Sequence, residues 1–447
     1  MRLLALIPPG TNSRCQFLEL LRGAQQAGHD VLFEEITLFI VEYQRRVAAK
    51  DTGASEAATV FARYLEHTVR ERRADAVMTL WLDPLTITPI VRTDPATPRE
   101  SSFLELLGVP SFHWWLDAPF WAYSGRALPA LVNGRFAAPT HTHIINNPGT
   151  ADEMRRVLGL QRVAAHSYGV DAAMFRPWPV ERDHEIALNA GPGDPAPTPF
   201  MLEQLKRDDP DVEAIRRDQA AKAETAVVES IRPLIPDAAR LATAWVTEQL
   251  RDPDRPMLDK LDAACAASGL DCTSTVAAFT RATQAWAQAT AALRTIESWQ
   301  RAFTAAFLSQ RFKALIVGPV DWAQTGWPIR GTRTGPLMYH ELSLAFSRCK
   351  VGVNIMRYQD DIGLNPKLLE MAASGCVAAQ RWRVGFDEFF REGEEAVSFR
   401  TPSGAVESVR ALLTSPDRCR AVAQAGRERV LRDHQWSQKA ARLFASG

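Results

Sequence analysis

The opening stretch, MRLLALIPPGTNSRCQFLELLRGAQQAGHDVLFEEI (1–36), decides the fold. Leu3 to Ile7 is an apolar run too short for a core helix and reads as a buried strand. Pro8, Pro9 and Gly10 stop it. Phe17, Leu20, Leu21 and Ala24 then recur at helical spacing, Gly28 is placed as a C-cap, and Val31 to Phe33 restores a strand. Strand, helix, strand is the unit of a parallel sheet with right-handed crossovers.

Outward from there the alternation continues. A helix is predicted over 55–73, then a strand DAVMTLWL (75–82), a helix over 101–108, and strands VPSFHWWL (109–116), HTHIINN (141–147) and AAHSYGV (164–170), with a short helix after 149. This predicts one doubly wound domain over residues 1–178. Residues 171–184 read as a linker, and EIALNAG (185–191) opens a second unit. From about 200 to 310 alanine dominates, strand signals vanish, and Pro233, Pro236, Pro253 and Pro256 break a helical block. The block reads as a structural cap. Strands return with FKALIVG (312–318), CKVGVNI (349–355), CVAAQ (376–380) and EAVSFR (395–400). Helices are predicted at 337–347, 366–374, 403–415 and through most of 419–446.

Composition narrows the function. The 447 residues carry 52 Lys+Arg and 52 Asp+Glu, a balance that argues against a basic nucleic-acid surface. Hydrophobic residues at 46% indicate a globular chain rather than a disordered one. No apolar run reaches the length of a spanning helix, and Leu3 to Ile7 is too short for a signal h-region, so a cytoplasmic location is expected. Cys15, Cys265, Cys272, Cys349, Cys376 and Cys419 form no C-x-x-C pair, which argues against a disulfide framework or zinc site. Charge is uneven locally. Gly326 to Arg383 holds eight Lys/Arg against four Asp/Glu, and the acidic Asp387, Glu388, Glu392, Glu394 and Glu395 follow.

Four segments carry candidate chemistry. PPGTNSR (8–14) joins a strand to a helix N-terminus, where Asn12 and Arg14 would meet an anion or polar ligand; an ordinary loop explains it equally well. FHWWLDAPFW (112–121) delivers Asp117 to the carboxyl end of a strand, with His113, Trp114, Trp115, Phe120 and Trp121 around it. A carboxylate beside aromatics can have a raised pKa and act as a base, and aromatic faces suit sugar rings. A turn residue ahead of Pro119 is the plainer reading, but aromatics exposed at a strand end favour a ligand.

In KVGVNIMRYQDDIGLNPKLLEMAASGC (350–376) a strand ends at Asn354, and a helix starts at Pro366 with Asn365 as N-cap. The amides near 366–368, with Lys367 and Arg357, suit a diphosphate; Glu370, one turn on, suits a ribose diol. A surface Lys–Glu pair fits as well. Tyr339, His340 and Glu341 precede the strand at 349, and WAQTGWPIRGTR (322–333) offers Arg330 as a phosphate or base contact, although a plain surface loop explains it equally well. No H-E-x-x-H points to a metal and no G-x-S-x-G to a hydrolase.

These residues resemble a known family. AGHDV (27–31), SYGVDAAMFRP (167–177) and Lys367-x-x-Glu370 followed by SGC (374–376) resemble GT-B glycosyltransferases. FDEFFREGEEAVSFRTPSGAVESVRALLTSPDRCRAVAQAGRERVLRDHQW (386–436) resembles the C-terminal domain of the spore-maturation CgeB-like members, as do FHWWLDAPF, Tyr339–Glu341 and VGVNI. The resemblance implies an α/β GT-B fold, two Rossmann-like domains facing a cleft, with the helical insertion (about 200–310) in the second. Residues 1–178 would hold the acceptor, 179–425 the donor, and 426–447 a helix returning to the first domain.

It further implies transfer of a sugar from a nucleotide-sugar to a hydroxyl of a protein, polysaccharide or small molecule, with no cofactor and no required metal. Arg330, Tyr339, Asn354, Arg357, Asn365, Lys367 and Glu370 would bind the donor. Asn12, Arg14, His113, Trp115 and Asp117 would lie on the acceptor side, and Asp117 and Glu370 would be the catalytic pair. In the related family 4 enzymes two glutamates eight positions apart flank the donor; Glu370 matches the ribose-contacting one, and the other position falls on Ile362. Asp360 or Asp361 is a candidate substitute there. CgeB-like members usually carry Arg where Lys367 stands, which keeps the charge without the fork. A GT-B-fold nucleotide-sugar epimerase and a non-catalytic sugar-nucleotide-binding or scaffold protein are the alternatives.

Overall fold

In the computed structural model, which describes residues 1–10, 12–81, 90–92, 100–120, 136–189, 195–318, 322–356 and 362–445, two parallel sheets carry the chain. The first contains β1 (Arg2–Ile7), β2 (Asp30–Glu35), β3 (Ala76–Leu80), β6 (Ser111–Trp115), β7 (His141–Ile145) and β8 (Val163–Ala165), in the order β2-β1-β3-β6-β7-β8. Between β3 and β6, β4 (Ile90–Arg92) and β5 (Glu100–Ser102) form a separate antiparallel pair. The second sheet contains β9 (His184–Asn189), β10 (Ala314–Val317), β11 (Thr332–Arg333), β12 (Cys349–Asn354), β13 (Val377–Arg381) and β14 (Val397–Phe399), in the order β11-β10-β9-β12-β13-β14. Both are mixed α/β, Rossmann-like sheets, the fold expected. In each, the order reverses beside the first strand, and ligands of open α/β sheets bind outside the carboxyl ends there.

The central strands are apolar on both faces, as sheets covered by helices require. Leu3, Leu4, Ala5 and Leu6 in β1 are fully buried. Two details depart from the sequence reading. Residues 101–108 are not a helix; Glu100–Ser102 is strand and Phe103–Leu107 a short 3₁₀ turn. A helix at Thr37–Ala48 was not anticipated, because Leu38, Val41 and Val47 point outward, break the stripe, and leave Ile40 as its buried residue.

The helical block is the connection between β9 and β10, yet most of it covers the other domain. Helices Val212–Ile231, Ala238–Arg251, Met257–Ser268 and Thr283–Thr295 share one apolar core with Leu4, Leu6, Trp115 and Met154 of the first domain. Val212, Ile215, the start at Pro199–Gln204 with Leu205, and Trp299 with the last helix, Gln300–Ser309, pack against the second sheet. The block therefore straps the two domains together. Glu153, fully buried on the helix Pro148–Arg156, accepts from Arg294 at 2.9 Å and from Trp286 Nε1 at 2.9 Å. On the other side Arg381 at the end of β13 donates to Asp254 and Gln300, each at 2.9 Å.

The chain's last helix, Trp436–Ala445, lies on the first helix, Asn12–Gln26. Two glycines make this approach possible. A Cβ on Gly23 would stand 2.6 Å from the Trp436 backbone, and one on Gly169 would stand 2.9 Å from Trp436 Cα. Trp436 is thus clamped between them, edge-on to Trp114 at 5.5 Å. Among the described residues, no helix is long and apolar enough to cross a membrane.

Candidate functional site

The second sheet reverses between β9 and β12, so the carboxyl end of β12 is where a ligand is expected. Asn354 ends β12, fully buried, and its Nδ2 donates to Asn365 Oδ1 at 2.8 Å and Gln380 Oε1 at 2.6 Å. This amide cluster ties the ends of β12 and β13 to the start of the helix Pro366–Ala373. Asn365 is the N-cap residue and Pro366 the first helical residue, as the sequence predicted. The Asn365 side chain makes no capping bond, because Asn354 holds it. The positive end of this helix at the carboxyl end of β12 favours an anion. Lys367 stands half-buried in that turn. Arg357, with Asp360 and Asp361, lies outside the described residues.

Glu370, on the next turn, is 1% exposed and faces the first domain. Its Oε1 accepts from the Tyr339 hydroxyl at 2.7 Å. Tyr339 lies 3.5 Å from Glu19 Oε2, which also accepts from Trp436 Nε1 at 3.1 Å. Two carboxyls, a phenol and an indole thus meet, all buried, where both domains and the last helix join. Burial pushes the Glu370 carboxyl up, against the opposing pull of Lys367 and Tyr339. Burial and then the like charge of Glu370 push Glu19 well up, and Glu19 Oε1 has no hydrogen-bond partner. Burial, then Glu370 and Glu19, raise Tyr339, so its hydroxyl remains the donor. Glu19 accordingly holds its proton beyond the ordinary carboxyl range.

Glu19 and Trp436 were missed by the sequence reading. Glu19 sits on the side of the first helix opposite the Phe17–Leu20–Leu21–Ala24 stripe, the side periodicity assigns to water. The second domain and the last helix cover that side here. The available signal was Gly23, one turn along on the same face.

The other expected residues do not gather at this point. Asp117 follows the carboxyl end of β6, half-buried, as predicted. Its aromatic neighbours are not an exposed wall: Trp114 is 2% exposed, Trp115 0% and Phe120 2%. Their burial, on both faces of β6, is core packing, and it removes the argument that exposed aromatics imply a sugar. Trp121 lies outside the described residues. His113 and Trp115 are wholly buried, Trp115 in the core shared with the helical block, so neither presents a side chain to an acceptor in this structure.

His113 belongs to a different constellation. Its ring lies 5.1 Å from that of His141 and 5.0 Å from that of His143, and Ser111 and Thr79 bond its two nitrogens at 3.0 Å each. Burial depresses His113 well below the usual range and takes His143 down to about 3, so the His113 and His143 rings are neutral core. Among the described residues, no group of three or more His, Cys, Asp or Glu is arranged to hold a metal.

At the first loop, Arg14 is held by Glu35 through two bonds of 3.0 and 2.6 Å and Asn12 is exposed at the helix start. Arg330 is misplaced for a donor contact. Thr332 pairs with Leu315 in a parallel register, and the Arg330 amide bonds Ser309 at 3.1 Å, so Arg330 lies at the amino end of the sheet, away from the cleft. The local cationic excess divides the same way. Arg348 is paired with Asp183 at 2.5 Å and Arg381 with Asp254 at 2.9 Å. Lys367 stands at the carboxyl end of the sheet. The domains touch beside it: Asn146 donates to the Leu364 carbonyl at 3.4 Å, next to a cavity of about 270 Å³ lined by Asn146, His166, Gly363, Gly385 and Lys439.

With this geometry the relatives are informative. Residues 266–445 match a family described as glycosyl transferase-like. By that match the C-terminal part of the chain is glycosyl transferase-like. The matched segment runs from the end of the helix Met257–Ser268 to the last helix and includes Asn354, Lys367, Glu370 and Trp436. The fold is shared with GT-B enzymes of low identity. A sucrose-phosphate synthase from Thermosynechococcus elongatus matches over 100% of both chains with 12% identity and a TM-score of 0.52. Anabaena HepE, solved with UDP and glucose, matches over 100% of both chains with 9% identity and a TM-score of 0.51. No protein of curated function matches the sequence. The likeness extends to the glycosyltransferase level; the CgeB-like resemblance is finer than these relatives reach.

Proposed function

We propose that the protein transfers a sugar from a nucleotide-sugar donor to an acceptor hydroxyl without a required metal. The observation that carries the reading is the helix Pro366–Ala373, whose uncapped first turn, with Lys367, sits at the switch point of the second sheet within the glycosyl transferase-like segment. A donor diphosphate there would be met by backbone amides, the positive end of the helix and one ammonium. The negative charge that develops on the leaving diphosphate would then be met by fixed dipoles, the usual largest source of rate enhancement.

Glu370 would accept from the ribose diol through Oε2, with Oε1 positioned by Tyr339. Arg357 is the second cation the reading assigns to the diphosphate, and Asn354 and Asn365 would orient the helix start. On the first domain Asp117 would take the proton of the acceptor hydroxyl, and Asn12 and Arg14 would border that side. Solution of a UDP and glucose complex for Anabaena HepE supports a nucleotide-sugar donor for this shared fold. On this reading the acceptor is a protein, a polysaccharide or a small molecule, and a CgeB-like subfamily and a cytoplasmic setting are the accompanying proposals.

The test is transfer itself, assayed with a panel of nucleotide-sugars and acceptors. Release of nucleoside diphosphate coupled to a glycosylated product is expected, and Asp117→Asn should lower kcat at least a hundredfold. Conversion of the donor to an epimer without transfer would replace this reading with the epimerase. Full transfer by Asp117→Asn would remove Asp117 as the base.

A further inference from the structure

A cavity of about 580 Å³ lies behind the second sheet, at the opposite end from the proposed donor helix. Lys350, next to the start of β12, and Gly375, just before β13, form its wall. Asn354, which marks the donor side, is four residues further along β12, roughly 13 Å away at the rise of a strand. The helix Pro416–Asp433 begins at the same wall, and its N-cap Ser415 makes no side-chain capping bond.

The lining is one-sided in charge. Arg182, Lys350, Arg420 and Arg427 line the cavity, and no carboxylate does. Arg182 donates to the Gly375 carbonyl in the same wall at 2.6 Å. Nearby acids are engaged elsewhere or at the rim. Asp183 is bound by Arg348 and His184, Glu428 accepts from Gln424, and exposed Asp417 pairs with Arg420. Arg427 Nε is buried with no hydrogen-bond partner. Leu412, Leu413 and Pro416 supply an apolar floor.

Arg420 is paired with Asp417, which leaves Arg182, Lys350 and Arg427 as like charges around one void, and like charges repel. A bound anion offsets that repulsion. The volume falls in the range of small-molecule sites, which combine an apolar lining with a few placed polar groups. We propose that this cavity is a second ligand site, for a small organic phosphate, with the phosphate against Arg427 and Lys350 and the apolar body on Leu412 and Pro416. It shares no residue with the proposed donor site, so it stands or falls independently of that reading.

Titration calorimetry with phenyl phosphate at low salt tests it, on the full chain and on Lys350→Ala, Arg427→Ala and Lys367→Ala. Binding to the full chain is expected, weakened about tenfold by Lys350→Ala and by Arg427→Ala, and unchanged by Lys367→Ala. Lys350 is exposed, so its variant separates lost binding from lost folding even if Arg427→Ala is unstable. Absence of binding, binding indifferent to Lys350→Ala, or binding lost only with Lys367→Ala would each overturn the proposal.

Discussion

Glu19 and Glu370 set the chemistry of the domain junction because one proton decides whether they coexist. Their raised pKa values mean the folded protein binds protons more tightly than the unfolded chain above the ordinary carboxyl range. This contribution to stability is complete below the unfolded carboxyl pKa and is lost as pH rises through the folded values. Glu19→Gln keeps a neutral, hydrogen-bonding side chain, so its denaturation midpoint should fall less than that of the natural protein as pH rises above the ordinary carboxyl range. An identical fall in both would show that Glu19 is already ionised. The histidine cluster acts in the reverse sense. His143, near pKa 3 when folded and about 6.5 when unfolded, contributes stability above pH 6.5 that is lost as pH falls toward 3. At pH 5 the loss is about 2 kcal/mol, and urea denaturation of His143→Asn should show a shallower decline from pH 7 to 5.

At the scale of elements, the strands were legible because parallel strands covered on both sides must be apolar runs, and LLALI, VGVNI and VAA meet that demand directly. The start of the helix at Pro366 was legible because Asn and Pro at those positions have fixed local geometry. What the sequence hid was which surfaces meet. Trp114 and Trp115 look like a sugar platform in one dimension, and the packing of helices on both faces of β6 makes them core. Arg330 lies between two strands in sequence, and only their parallel register places it at the wrong end of the sheet. Glu19 lies on a polar helix face that only a distant segment covers. The clamp on Trp436 depends on the same distant contact. Gly169→Val should push Trp436 out of place and destabilise the protein by about 2 kcal/mol or more, read as a lower denaturation midpoint.

For the whole molecule, the helical block is the feature that binds the domains into one arrangement. It is inserted in the second sheet's connection and buries its main core against the first domain. Arg294 and Glu153 are its buried ionic contact, 2% and 0% exposed at the side chain. Removing one partner leaves the other buried and uncompensated, so Arg294→Ala should cost about 3–5 kcal/mol in chemical denaturation. The strap also fixes how the proposed donor side, with Lys367, meets Asp117 on the other domain.

The central claim is that the Pro366 helix holds the diphosphate of a nucleotide-sugar. The most direct measurement is the shift in thermal unfolding with a panel of nucleoside diphosphates and their sugars, on the full chain and on Lys367→Ala and Glu370→Ala. A ligand at a hundredfold excess over its Kd stabilises by about 2.7 kcal/mol. The account predicts that at least one nucleotide raises the midpoint, and that both substitutions weaken its binding about tenfold or more. No shift with any nucleotide, or a shift that both variants retain in full, would contradict it.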